Sequence, residues 1–138
     1  MTYLLDTVTV SELRKGKRMD SSVAKWSRSI DPQPVYLSVV TLNEIRFGIR
    51  KVQPTDAAFA AVLVQWYRLL TKQPERIKIV AVDKAIAELA ADFRFDFKMG
   101  YDDALIAATA HRQKVTLATR NSADFVSSGI RLINPWEG

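Results

Sequence analysis

The chain has 138 residues, 48% of them apolar and 25% charged, enough for one hydrophobic core. Its longest purely apolar run, Ala57–Val64, is too short for a bilayer, which needs about 20 residues. There is no cysteine, which excludes disulfides, thiolate zinc sites and cysteine nucleophiles, and the net charge of +5 favours a polyanion or an acidic protein as partner.

Met1-Thr2-Tyr3-Leu4-Leu5 meets Asp6 at once and carries no basic region, so no signal peptide is expected and a cytoplasmic location follows as the default. Tyr3-Leu4-Leu5 reads as a first buried strand, with a helix over Thr7–Leu13. Arg14-Lys15-Gly16-Lys17-Arg18 is a basic loop, and Ser21–Ile30 a helix closed by Asp31-Pro32-Gln33-Pro34. A strand is expected at Val35–Ser38 and a helix from Thr41 to Lys51. The helix from Thr55 to Thr71 is apolar nearly all round, so it is buried in the domain or against a partner. A strand over Ile77–Val82 and a helix over Asp83–Phe93 come next. Gly100 precedes a helix of small and apolar residues opened by Asp102 and Asp103. A strand at Val115–Ala118, a short helix over Ser122–Val126 and a last strand at Arg131–Ile133 complete the chain. Short apolar strands alternating with helices predict one α/β domain with a mostly parallel central sheet flanked by helices.

Open parallel sheets place their working crevice at the carboxyl ends of the strands. Four acids have positions compatible with that rim: Asp6, Glu44, Asp103 and Asp124. Each also has a simpler role. Asp6 can cap the first helix, and Thr41-Leu42-Asn43-Glu44 has capping-box spacing. Asn121 can cap the turn that carries Asp124, and Asp103 is favoured by the helix dipole. Capping alone does not require every acid to lie near one edge. Asp103 shares its face with Ile106 and Ala107, so its carboxylate points along a buried side. Asp102, about 100° away, is read as the cap, and Glu12 as a solvated acid. Carboxylates with no cysteine and a single histidine, His111, select hard divalent cations, Mg²⁺ or Mn²⁺. Such ions lower the pKa of a bound water and stabilise in-line displacement at phosphorus.

Leu4-Leu5-Asp6-Thr7, Ser38-x-x-Thr41-x-x-Glu44-x-x-x-Gly48, Asp103-Ala104-Leu105-Ile106-Ala107-Ala108-Thr109-Ala110, Thr119-Arg120-Asn121-x-x-Asp124-Phe125 and Asn134-Pro135-Trp136 follow one another in order over nearly the whole chain. In these pieces the chain resembles PIN-domain proteins of the VapC toxin type. The resemblance implies a Mg²⁺-dependent endoribonuclease, usually dimeric, held inactive by a cognate antitoxin. Asp6, Glu44 and Asp103 match the family's core metal-binding acids, and Asp124 its more variable fourth acid. Thr7 and Asn121 match its polar supporting positions. The family's usual Asp-Thr-Asn opening is here Asp6-Thr7-Val8, so one polar side chain beside the site is missing.

Arg14, Lys15, Lys17 and Arg18 form the densest basic run, and Arg46, Arg50 and Arg120 lie near matched motifs. They are candidates to hold an RNA backbone, or the acids of an antitoxin. Trp26, Trp66 and Trp136 are assigned to core or interface packing rather than base stacking. Two other classes remain open: a module that binds RNA or a partner without cutting, kept in play by Val8, and a haloacid-dehalogenase-like phosphotransferase, suggested by Asp6-x-x-x-Val10 and Asp102-Asp103. The second would need another acid where Val8 stands. A receiver-type switch lacks its lysine, because the last strand runs into Asn134-Pro135.

Overall fold

Every strand of the chain is followed by a helix or helical turn except the last, so neighbouring strands run parallel and each crossover packs on a face of the sheet. In a computed structural model describing residues 1–138, the strands are β1 (Tyr3–Leu5), β2 (Val35–Ser38), β3 (Ile77–Val80), β4 (Thr116–Ala118) and β5 (Leu132–Ile133). They form one sheet in the order β3-β2-β1-β4-β5, with all four pairings parallel. The helices are α1 (Thr7–Leu13), α2 (Ser21–Ile30), α3 (Val39–Val52), α4 (Ala57–Leu70), α5 (Lys84–Phe97) and α6 (Tyr101–Gln113). Short 3₁₀ turns occupy Gly16–Arg18, Ser122–Asp124 and Val126–Ser128. The predicted α/β fold with its parallel sheet is what the chain adopts.

Alternation along the strands divides the core into two layers. Leu4 and Leu117 face Ile86, Phe93, Ala104 and Ala108 of α5 and α6. Leu5, Leu37 and Ala118 face Val10, Ile45, Ile49, Ala60 and Leu70 of α1, α3 and α4. The small residues of α6 are fully buried, which lets that helix lie close to both the sheet and α5.

Several boundaries differ from expectation, each for a local reason. Helix α3 starts at Val39 rather than Thr41, because the Ser38 hydroxyl accepts from the Val40 amide and caps the helix straight off β2. Strand β3 ends at Val80, where its register with Ser38 of β2 runs out. Helix α5 continues to Phe97, since Phe93 packs on Phe97 and Lys98 closes the helix in the left-handed conformation. The expected helix over Ser122–Val126 is instead two successive 3₁₀ turns. Helix α4 packs one face into the domain through Ala60, Leu63, Val64, Trp66, Tyr67 and Leu70, while Val62 and Leu69 on its other side are exposed.

Leu117, fully buried on the interior strand β4, and Phe95, 83% exposed on α5, give opposite expectations. Leu117→Ala should lower unfolding free energy by about 2–5 kcal/mol in urea titration, and Phe95→Ala by less than about 0.5.

Candidate active site

Strand order reverses at β1, which is flanked by β2 on one side and β4 on the other. The crevice of a parallel sheet opens at such a point, beyond the carboxyl ends of the strands. Asp6 is the first residue beyond β1, and its amide donates to the Ala118 carbonyl of β4 at 3.2 Å. Its Oδ1 accepts from the Thr9 amide at 2.9 Å, so Asp6 caps α1 while standing on the rim. The buried Thr9 hydroxyl donates to the same Ala118 carbonyl at 2.9 Å, pinning α1 to β4.

Because Ser38 caps α3, Thr41 lies inside the helix and the predicted Thr41–Glu44 capping box does not exist. Glu44 sits in the second turn, where its carboxylate accepts from the Thr7 hydroxyl. Thr7 Oγ1 also lies 3.3 Å from the buried Thr41 Oγ1, so a chain of hydroxyls backs the carboxylate. Burial pushes the Glu44 carboxyl above its ordinary range; Thr7 opposes this, while Asp102 and Asp103 reinforce it.

Gly100, not Asp102, is the N-cap residue of α6, and both acids occupy its first turn. Asp103 is half-buried, and burial raises its pKa. The charges of Asp124, Asp6 and Asp102 push it further in the same direction. Asp124 reaches this neighbourhood from the Ser122–Asp124 turn. Asp6, Glu44, Asp103 and Asp124, chosen from sequence, thus come together electrostatically, and Asp102 joins them. Sequence reasoning missed Asp102 by treating it as a cap; the pairing of adjacent acids was the available signal. The carboxylates form an open cluster rather than a closed cage, since no three acidic or histidine side chains stand at metal-coordinating spacing. Asn121 makes no side-chain cap, and its amide instead donates to Thr119 Oγ1 at 3.1 Å.

The basic candidates separate. Arg14 lies over the rings of Phe59 and Trp66 at 5.4 and 6.0 Å, held against α4. Arg46 lies over Tyr67 at 5.9 Å, about 200° around α3 from Glu44. Arg120 lies over Trp136 at 5.3 Å, and Lys17 and Arg18 are exposed. Lys15 donates to Glu12 at 2.8 Å. Glu12 is not the solvated acid expected: Lys15 and the Asp20 amide hold its carboxyl below the usual range, with Arg120 contributing. Trp26 stands edge-on to Tyr3 at 5.2 Å, and all three tryptophans are half-buried, consistent with packing.

Two cavities meet at Arg14 and Trp66. One of about 300 Å³ runs from Thr7 and Glu44 past Gly48 to Phe59. The other, about 480 Å³, lies between α1, α2, α4 and the sheet and includes Leu13, Ile30 and Arg76.

The raised carboxyls carry a pH signature. Glu44 and Asp103 hold protons to higher pH when folded than when unfolded, so charging them in the metal-free chain costs stability as pH rises above the ordinary 4.5 and 3.8. Asp103→Asn should therefore melt higher than the parent at pH 7 in EDTA, with the gap closing towards pH 4. Scanning fluorimetry across that range checks it; coincident melting curves at pH 7 would mean that the acids do not strain the fold.

The PIN domain profile matches residues 3–126. A curated relative, a VapC ribonuclease of Sinorhizobium fredii, is 31% identical over 97% of each chain. Toxin FitB of Neisseria gonorrhoeae is 29% identical over 96% of this chain and 97% of its own. The crystal structure of FitAcB from that organism superposes with a TM-score of 0.84 at 29% identity over 99% of both chains. A chain of a toxin–antitoxin complex from Klebsiella pneumoniae aligns with a TM-score of 0.71 at 28% identity, again over 99% of both. With a matching profile over most of its length, a full-length relative above 30% identity and the same parallel sheet, the chain belongs to the PIN domain family.

Proposed function

We propose that the chain is a metal-dependent endoribonuclease, the toxin of a type II toxin–antitoxin pair, that hydrolyses RNA phosphodiester bonds with a metal-activated water. The observation that carries this reading is the mutual strain of the acids: burial and three neighbouring carboxylates raise Asp103, and Asp102 and Asp103 raise Glu44. Like charges gathered out of water call for a cation. The donors are all hard oxygens, and the one histidine, His111, lies in the last turn of α6 against Phe93, remote from the first-turn acids. That donor set fits Mg²⁺ or Mn²⁺.

Asp6, Glu44, Asp103 and Asp124 would hold the ion or ions. Bound there, the cation would supply a water acidic enough to attack at neutral pH and charge stabilisation for the phosphorane-like transition state. The chain's own residues do the rest. Thr7 donates to Glu44 and fixes its orientation, which Thr41 backs from the buried side. Asp6 is fixed by its bond to the Thr9 amide, and Asn121 stands on the same rim beside Asp124. Lys17 and Arg18 offer free cations to the RNA backbone, with Arg14, Lys15, Arg46 and Arg120 engaged in contacts of their own.

The two joined cavities suit an amphipathic antitoxin segment: apolar walls from Leu13, Ile30 and Trp66, with Arg14 to meet its acids and Arg76 paired with Asp31 at 3.2 Å. Relatives named as toxins, and one solved within a toxin–antitoxin complex, support that partner. Exposed Val62 and Leu69 on α4 leave apolar area for a second copy, and a cytoplasmic setting fits this assembly.

Non-cleaving RNA or partner binding is the second reading, and Val8 favours it. Val8 is 44% exposed in the first turn of α1 beside Asp6 and Thr7, and supplies no hydrogen bond. The test is cleavage of RNA by the purified chain in Mg²⁺, Mn²⁺ or EDTA. Metal-dependent cleavage is expected, with Asp103→Asn at least about a hundredfold slower and Val8→Asn raising apparent metal affinity up to about tenfold. Binding without cleavage by both wild type and Asp103→Asn would move the chain to the second reading.

A further inference from the structure

We propose that Glu12, an acid inside a basic loop, is a positioning residue that straps the 14–20 loop into a backbone-phosphate subsite beside the acid cluster. The inference rests on the ribonuclease reading and goes beyond it by assigning the loop's geometry to one carboxylate.

Glu12 joins three pieces of chain. Its Oε1 accepts from Lys15 Nζ at 2.8 Å and its Oε2 accepts from the Asp20 amide at 2.8 Å. Asp20 in turn caps α2, accepting from the Ser22 and Val23 amides at 2.9 and 3.2 Å. The carboxylate therefore ties the end of α1 to the start of α2 and closes the loop between them. Its side chain is only 11% exposed, unusual for an acid on so short a surface helix. The charge of Arg120, from the segment after β4 that leads to Asn121 and Asp124, bears on Glu12 without a direct bond. Arg120 is fixed independently: its guanidinium lies over Trp136 and its carbonyl accepts from Asn134 Nδ2 at 3.2 Å.

The consequence is directional. Helix α1 begins at Asp6 on the rim and ends seven residues later, about 10 Å away. Glu12 pairs with Lys15 and leaves Lys17 and Arg18 exposed in the 3₁₀ turn. A single RNA strand whose scissile phosphate lies at the acid cluster meets these cations at a neighbouring phosphate. That spacing separates the subsite that binds from the centre that cuts. It also lets a basic loop serve the reaction without placing a cation among the carboxylates.

The sign of the Glu12 effect tests the strap. Simple electrostatics says that removing an acid from a basic surface tightens RNA binding. A strap says the opposite, because Lys17 and Arg18 lose their fixed position. The probe is a fluorescent single-stranded RNA titrated with chains carrying Asp103→Asn, in EDTA, across a range of NaCl. Glu12→Gln should weaken binding about five- to tenfold, and Lys17→Ala with Arg18→Ala should lower the salt slope by about 1–2. In the active chain the Glu12→Gln effect should fall on KM, with kcat changed less than about twofold. Glu12→Asp, which keeps the charge, should recover part of the loss. Equal or tighter binding by Glu12→Gln overturns the strap while the ribonuclease reading stands. Failure of the Asp103→Asn chain to bind RNA at all overturns the strap, and the ribonuclease reading then stands or falls on cleavage. A melting temperature well below the parent's for Glu12→Gln, with Lys17→Ala/Arg18→Ala leaving the slope unchanged, would reduce Glu12 to a structural tie and sink the proposal.

Discussion

The register of β1 with β4 governs the rest of this molecule. Leu5 pairs with Ala118, and the chain leaves both strands at the same level, so Asp6 and Thr119 emerge side by side. Two bonds to one carbonyl, from the Asp6 amide and the Thr9 hydroxyl, lock the first turn of α1 to that level. A slip of one residue would exchange Leu4 and Leu5 between the two core layers, so the register is enforced by burial far from any acid. Acids from four separate segments are aligned by packing in which, of the four, only Asp6 takes part, through its backbone amide and its cap.

That arrangement opposes stability to function. Half-buried carboxylates that raise one another's pKa cost folding free energy when charged, and the cost is accepted at the rim while the two apolar layers offset it. Thr7 relieves part of the strain at Glu44 by donating its hydroxyl. No equivalent donor relieves Asp103, which burial, Asp124, Asp6 and Asp102 all push upwards.

Much of this was legible in the sequence because it rests on periodicity and on strand-to-helix punctuation. The elements, their order and the parallel sheet follow from apolar runs such as Tyr3–Leu5 and Ile77–Val80. The four acids were legible as positions on one rim, since an acid just beyond a strand has few places to go. What escaped was chemistry decided by a neighbour's first choice. Ser38 took the cap, which moved Thr41 and Glu44 inwards by a turn; Gly100 took the next, which freed Asp102 to face Glu44. Glu12 looks like any surface acid because its partner, the Asp20 amide, is brought to it only by the folded chain. The exposure of α4 was equally hidden: an apolar helix reads the same whether a core or another molecule covers it.

Asp6 holds two jobs in one carboxyl group. One oxygen takes the Thr9 amide as the cap of α1, while the charge of the group bears on Asp103. Truncation to alanine would remove both at once, and a dead enzyme would then say nothing about which was missed. Asparagine keeps an oxygen for the amide and gives up the charge, which separates the architecture of this residue from its electrostatics. In a rim built from caps, the informative substitution is the isostere, and a chain redesigned here must preserve the acceptor before it alters the acid.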